Sequence, residues 1–272
     1  MIVDSNQRWT ERRESRRPAG EVIVTSEYDV ARIGPKVAKA FVKLHHYSGT
    51  CSSTSHCYGL YRHGTLVGAA VYGATCSTNA HRAVFGDVLD QKQAVTLGRL
   101  VLIDEVPGNG ESWFVARTFR KLREAGVVAV ESCADPQPRQ STDGRIVHHG
   151  HVGTVYSALN GRYVGKTNPA SLWLLPNGVV YSNKASGKLA RGEQGREYAG
   201  SVLTDWGADP LHDGEDPLAW LRYWRPRLTR TFRHHGNHRY LWCLDKRRAR
   251  EVLDHKPDLA YPKLDLHHTI TP

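Results

Sequence analysis

Apolar positions fall into short runs of two kinds, and the run from Leu97 to Ile103 is the most continuous of them. Leu97, Arg99, Val101 and Ile103 alternate there with Leu100 and Leu102, so both faces are largely apolar, as in a central strand. Pro107, Gly108, Asn109 and Gly110 break the run. Gly110 or Ser112 can cap the helix that follows, with Glu111 near its positive end. Val115, Phe119 and Leu122 lie on one face of that helix, and Gly126 stops it. Upstream, Glu21–Thr25 reads as a short strand, and Pro35 opens a helix with Val37, Phe41 and Leu44 inward. Tyr58–Tyr61 and Leu66–Tyr72 flank a His63-Gly64 turn, the pattern of a β-hairpin. Residues 50–57, and the stretch holding Thr78, Asn79 and Asp87, read as loops.

Downstream, Val127–Cys133 is another strand, running into Ala134-Asp135-Pro136, and 138–143 is a polar loop. His149–Leu159 reads as a short helix with Val152, Val155 and Leu159 inward, and Arg162–Gly165 returns as a strand. Leu172–Leu175 and Val179–Tyr181 form a hairpin candidate, and 183–217 is polar and irregular. Ala219–Trp224 is a short aromatic helix, His238–Leu244 a strand, and Lys246–Val252 a basic final helix. Strands interleaved with helices predict an α/β chain with a mixed central sheet. Residues 1–20 are too polar to bury a core and read as a flexible basic arm.

Charge changes the picture. The net charge is +10 and the isoelectric point is near 9.5. Arg8, Arg12, Arg13, Arg16 and Arg17 crowd the N-terminus, and Arg222, Arg225, Arg227, Arg230 and Arg233 crowd a late segment. Arginine forks suit phosphate, so the expected partner is double-stranded DNA, against the plain alternative of a solvated arginine-rich surface. Five cysteines with no CxxC argue against a disulfide framework, and no zinc-type spacing occurs among them and the histidines. With no long apolar run and no secretory leader, a cytoplasmic protein is expected, with no membrane partner.

Arg99 stands out because an unpaired charge inside an apolar strand is costly. It must meet a carboxylate such as Asp104 or Asp135, or a ligand anion. Asp135 lies at a strand end, where it is either a functional carboxylate or an Asx turn before Pro136. His151, between two glycines, is either a base or an exposed loop histidine; Tyr156 is either a proton donor or a core aromatic. His46 and Tyr47 end the first helix, where caps and core edges are common. A Gly-rich turn that opens a helix, here Gly108, Asn109, Gly110 and Ser112, can present free N–H groups to a pyrophosphate, or can be a plain tight turn.

The order of elements resembles the GNAT acyltransferase fold. The resemblance implies a GNAT-like mixed central sheet flanked by helices over residues 21–166, and a C-terminal extension over 167–272 packed on that core. It also implies that the central strand and the next one splay apart, that the gap takes acetyl-CoA or a related acyl donor, and that the turn after the central strand holds its pyrophosphate. Pro107–Ser112 lacks the basic residues usual in that turn. A tyrosine in the place of Tyr156 often serves as general acid in the fold.

A narrower set of pieces is similar to the Mom family of phage DNA-modifying proteins. These are His46-Tyr47, Leu97-Gly-Arg-Leu100, Ser132-Cys-Ala-Asp135, Gly150-His-Val-Gly153, Tyr156, Tyr163-Val-Gly165 and the late His238-Arg-Tyr-Leu-Trp. That resemblance implies addition of a carbamoylmethyl group to N6 of adenine in DNA, which shields a phage genome from restriction. Asp135, Tyr156, His151 and Arg99 would then be catalytic, and His46, Tyr47 and Ser132 would line the pocket of a flipped base. Arg12, Arg13, Arg16, Arg17, Arg225, Arg227 and Arg230 would meet DNA. Two other readings stay open: an acyl-CoA N-acetyltransferase on a small amine or protein, and a non-catalytic DNA-binding protein on the same scaffold.

Overall fold

The computed structural model describes residues 5–18, 20–51, 53–75 and 77–263. Residues 1–4 and Ala19 of the expected arm, Ser52, Cys76, and the end of the expected extension at 264–272 lie outside the described residues. The fold is mixed α/β, as expected, with a large sheet flanked by helices. The chain divides into two compact units. The first runs through Asp135 and takes in His151–Lys166 and the segment from Asn237; the second comprises Pro136–Gly150 and Thr167–Gly236.

The first unit opens with a hairpin, β1 (Ser5–Thr10) and β2 (Arg13–Pro18), turned at Glu11 and Arg12 with φ of 49° and 64°. The described part of the expected flexible arm is therefore a folded element. The reason is long-range: Trp9 packs beside α1, and Arg8 is buried, only 1% exposed, against the turn after the central strand. Glu21–Thr25 is not a strand. Val22 and Val24 are exposed, Ile23 is buried, and the edge strand β3 (Tyr28–Arg32) forms a few residues later.

Helix α1 (Pro35–His45) begins at its proline, as expected, but turns a different face inward. Ala38 and Val42 are fully buried, whereas Val37 and Leu44 are about half exposed. Next come β4 (His56–Arg62) and β5 (Thr65–Gly73), joined by His63 and Gly64 with φ of 48° and 82°, as a two-residue hairpin loop requires. The expected second loop contains helix α2 (Thr78–Phe85), because Ser77 caps it by accepting the Ala80 N–H at 3.1 Å.

The central strand is β6 (Ala94–Leu102), followed by α3 (Gly110–Glu124) and β7 (Ala129–Ala134). Asn109, not Gly110 or Ser112, is the N-cap of α3. Phe114, Val115, Thr118 and Leu122 form its buried face, and Gly126 follows with φ of 85°. In the second unit, β8 (Arg139–Gln140), inside the expected polar loop, pairs with β9 (Ile146–His148) just beyond it. Back in the first, α4 (Thr154–Ala158) is shorter than expected; it buries Tyr156, and His151 precedes it. Strand β10 (Arg162–Lys166) follows.

The second unit continues with β11 (Ala170–Leu174) and β12 (Val180–Tyr181), the expected hairpin. The stretch read as irregular forms α5 (Asn183–Ala190) and α6 (Arg196–Thr204). Helix α7 (Pro217–Leu228) is twice the length of its aromatic kernel and leads into β13 (Arg230–His234), which pairs with β11. Leu175, Tyr181, Leu189, Leu203, Trp220 and Leu221 form this unit's own core. The late strand β14 (His238–Cys243) and the short α8 (Ala249–Leu253) belong to the first unit.

The main sheet has the order β10-β14-β7-β6-β5-β4-β3, with only β6 and β7 parallel. A boundary near residue 166 is therefore not where the compact units divide, since β14 lies between β10 and β7, one strand in from the edge of the main sheet.

Candidate functional site

The central strands part where the sheet changes partner. Strands β6 and β7 pair from Ala94↔Ala129 to Leu97↔Ser132 and no further. Beyond that point β6 stays with β5 as far as Gly68↔Leu102, while β7 stays with β14 as far as Ala134↔His238. A bulge starts the divergence: Val71 opposes Arg99 and Tyr72 opposes Leu97, so Gly98 is the extra residue. The Ser132 hydroxyl closes the vertex by donating to the Leu97 carbonyl at 3.1 Å. The result is a wedge between the two strands, closed at Leu97 and Ser132.

Tyr156 sits at this vertex. Its ring lies 5.3 Å from Tyr240 and 5.7 Å from Trp242. Burial pushes its phenol up to about 12, against the lowering effects of a hydrogen bond with Ser132 and of the Arg99 charge; Tyr47 and Cys133 add to the rise. Tyr156, Ser132, Tyr47 and Arg99 thus stand within electrostatic reach of one another. A phenol of this kind stays protonated at neutral pH and is a hydrogen-bond or proton donor. The expected inward Val152 and Val155 are only partly buried, because the tyrosine takes the core position. Gly153 makes room for it: with φ of 82°, a Cβ there would lie 2.6 Å from the Tyr156 ring and 2.9 Å from Tyr240.

Arg99 does not meet the expected carboxylate. Its Nε donates to the Thr50 carbonyl at 2.7 Å, Nη2 to the Thr50 hydroxyl at 3.1 Å and Nη1 to the Gly98 carbonyl at 2.5 Å. Asp104 is engaged instead by the Ser15 hydroxyl. The charge is thus offset by oxygen dipoles of a loop and of the bulge, a partner set that sequence spacing does not reveal. His46 caps α1. Its Nδ1 accepts the Ser48 N–H at 3.1 Å, which puts the proton of the neutral ring on Nε2. Its ring lies 4.2 Å from Tyr47, and Tyr47 lies 5.0 Å from Trp9 of the N-terminal hairpin, a residue not anticipated at the site.

Asp135 and His151 come together at the end of β7, where the His151 N–H donates to the Asp135 carbonyl at 2.7 Å. His238, opposite Ala134, is a further neighbour that was not among the expected site residues. Its Nδ1 is 2.8 Å from the Tyr163 hydroxyl, and burial, then the Lys166 and His151 charges, push its imidazole below the usual histidine range.

Of the four turn residues expected to bind a pyrophosphate, Gly108 and Gly110 have their N–H groups engaged, and Asn109 and Ser112 have their side chains engaged. The Gly108 N–H donates to the Glu21 carboxylate at 3.1 Å, and Asn109 Oδ1 accepts the Ile23 N–H at 2.8 Å. The Gly110 N–H donates to the Pro107 carbonyl at 2.9 Å, and the Ser112 hydroxyl to the Asn109 carbonyl at 3.1 Å. Arg8 fills the remaining space. It donates to the Val106 and Pro107 carbonyls at 3.3 and 2.6 Å and pairs with Glu111. Two carboxylates, Glu21 and Glu111, thus stand where a pyrophosphate would bring negative charge. As folded, the turn offers the CoA pyrophosphate that the fold resemblance implies neither the Gly108 nor the Gly110 N–H, and it meets such a group with two carboxylates.

The N-terminal arginines are also largely committed: Arg13 pairs with Glu11 at 2.8 Å, Arg16 with Glu14 at 2.7 Å and Arg17 with Glu21 at 2.6 Å. Arg12 lies against Gly49, where a Cβ would overlap its guanidinium. Among the described residues, no three His, Cys, Asp or Glu side chains converge as a metal site would need, and no helix is long and apolar enough to cross a membrane.

Solved structures similar to this one are acetyltransferases at low identity. A GNAT family N-acetyltransferase from Escherichia coli in complex with CoA is 14% identical, with a TM-score of 0.32 over 40% of this chain and 64% of that one; the chain therefore spans just under two thirds of it. An N-acetyltransferase from Staphylococcus aureus Mu50 is 8% identical, with a TM-score of 0.36 over 80% and 99%. A tandem GNAT protein from the clavulanic acid biosynthesis pathway is 8% identical, with a TM-score of 0.41 over 80% and 99%. No curated protein sequence matches the chain. The sequence pattern of the Mom protein family matches residues 27–263, from just before the edge strand β3 to beyond β14, and over that span the chain belongs to the Mom protein family.

Proposed function

We propose that this protein modifies adenine in double-stranded DNA, adding a carbamoylmethyl group to N6 at the wedge between β6 and β7. The observation that carries the reading is the buried Tyr156 at the vertex where β6 and β7 part, packed on Tyr240 and Trp242 beside Ser132. Adenine N6 is a weak nucleophile, because its lone pair is delocalised into the ring, and it is reachable only when the base is extruded. The site supplies groups suited to both problems. Tyr47, beside Trp9 and His46, belongs to an aromatic group against which the flipped base stacks. At the end of β7, Asp135 or His151 takes the proton that N6 gives up as the new N–C bond forms. Tyr156 donates to the group that leaves the donor, so the proton lost at N6 is balanced by one delivered there.

The donor is an activated acetamido compound, and its carrier is not assigned. The engaged Gly108 and Gly110 N–H groups weigh against pyrophosphate capture by those two groups, and not against an acyl-CoA donor as such. Protection of a phage genome from restriction follows from this reading as the biological role.

Nucleosides from the DNA of cells expressing the protein, digested and weighed by mass spectrometry, test the chemistry. Wild-type protein should yield a deoxyadenosine that carries one added carbamoylmethyl group. Asp135→Ala and Tyr156→Phe should abolish that product while the proteins remain folded. Wild-type levels in both variants would remove this wedge from consideration, and an unmodified nucleoside pool with wild-type protein would leave the non-catalytic DNA-binding reading.

A further inference from the structure

The two arginine-rich stretches have opposite surroundings. In the N-terminal hairpin each of Arg13, Arg16 and Arg17 holds a carboxylate, and Arg8 is buried. Between Pro217 and Gly236 there are five arginines and no Asp or Glu. Among the described residues, none of these five lies within ion-pairing distance of a carboxylate. They occupy α7 and β13, which are joined through Thr229 alone.

Aromatic rings hold two of these guanidinium groups in place. Arg227 lies 3.7 Å from the Tyr223 ring centre and donates to the Tyr223 carbonyl at 2.7 Å. Arg225 lies 4.2 Å from the Trp173 ring centre, and its Nε is a buried donor with no acceptor. Arg230 is fixed by a bond from Nη2 to the Gln140 carbonyl at 2.6 Å. A stacked guanidinium has lost much of its freedom already, so less ordering remains to be done when its edge meets an anion. Arg222, Tyr223, Arg227, Arg230 and Arg233 are all exposed.

We infer that the α7–β13 surface of the second unit is where the protein grips the phosphate backbone of duplex DNA, and that the N-terminal arginines are structural. The inference rests on the reading above that DNA is the substrate, and it names the surface that DNA meets. Duplex backbone fits better than unstacked single strand for a stated reason. Tyr223 and Trp173 each carry a guanidinium on the ring, so the surface presents forks for phosphate oxygens rather than bare rings for bases. Such contacts read no sequence and release counterions, so binding through them weakens as salt rises.

Fluorescence anisotropy of the full-length protein with a labelled random-sequence duplex, across a salt series, tests this. The triple variant Arg222→Gln/Arg227→Gln/Arg230→Gln should bind at least about tenfold more weakly at low salt, and the slope of log affinity against log salt should fall by about 3, near 0.9 for each lost contact. Lysine at the same three positions should keep most of the slope, which separates charge from a folding defect. Arg13→Gln/Arg16→Gln/Arg17→Gln should bind as wild type does. The inference is overturned if the second triple loses the affinity and the first keeps it, if a single strand of equal length binds more tightly than the duplex, or if wild-type protein binds no DNA. Modified adenine is measured separately, so DNA bound through this surface without any modified product would sink the proposed chemistry and leave the surface standing.

Discussion

At the scale of single residues, burial decides what Tyr156 does. The ring is packed between Tyr240 and Trp242, and its hydroxyl meets Ser132 at the point where two strands separate. Burial disfavours the phenolate more than Arg99 favours it, so the phenol rises from 10.0 to about 12. Below pH 10 the tyrosine is neutral in folded and unfolded chains alike, and the fold keeps the full benefit of a neutral buried phenol. As the pH passes from 10 towards 12, unfolded chains ionise first and that benefit disappears, at a cost of about 3 kcal/mol. Denaturant unfolding of the wild-type protein should therefore show a loss of stability across that window, and Tyr156→Phe should show a smaller one. Equal losses in the two proteins would mean that the hydroxyl is not buried as described.

At the scale of elements, α1 shows how a correct helix can be assigned the wrong face. Proline at its first turn and the helix-forming run after it set its start and length. The apolar residues Val37, Phe41 and Leu44 suggest one inner stripe, yet Ala38 and Val42 face Ala69, Val71 and Val101 of the sheet. One residue is a rotation of about 100° on a helix, so a short, mixed pattern cannot choose between adjacent stripes. Val42→Ala should cost about 2 kcal/mol, because it opens a hole in a fully buried contact, whereas Leu44→Ala should stay within about 0.5 kcal/mol. Chemical denaturation of the two variants measures the difference directly, and the reverse order would put Leu44 in the core.

At the scale of the whole molecule, strand order matters more than sequence order. Strand β14 arrives some 70 residues after β10 and pairs between β10 and β7, inside the main sheet. Tyr240 and Trp242 on that strand pack the site tyrosine. A chain cut after Lys166, which retains every element of the expected core, should then lack a cooperative thermal transition. Residues 237–263 supplied as a separate peptide would have to restore it. A cooperative transition in the cut chain alone would show that β14 is dispensable.

Local physics determined much of this protein from sequence alone. The apolar run of β6, the His63-Gly64 hairpin, the glycine-bounded α3 and the late strand β14 each follow from periodicity and turn chemistry within about a dozen residues. The sequence also singled out Arg99 as a charge inside an apolar strand and Asp135 as the residue past the end of the next one, whereas Ser132 and Tyr156 were marked by the family resemblance. Tertiary structure alone decided the partners. Arg99 meets the Thr50 loop, the Gly-rich turn receives Arg8 and Glu21 in place of an open anion site, and the N-terminal arginines are tied to nearby glutamates on a folded hairpin. A charge pattern records how many cations a segment has, whereas burial and pairing depend on groups up to about a hundred residues away, and only the packed chain brings those groups within reach.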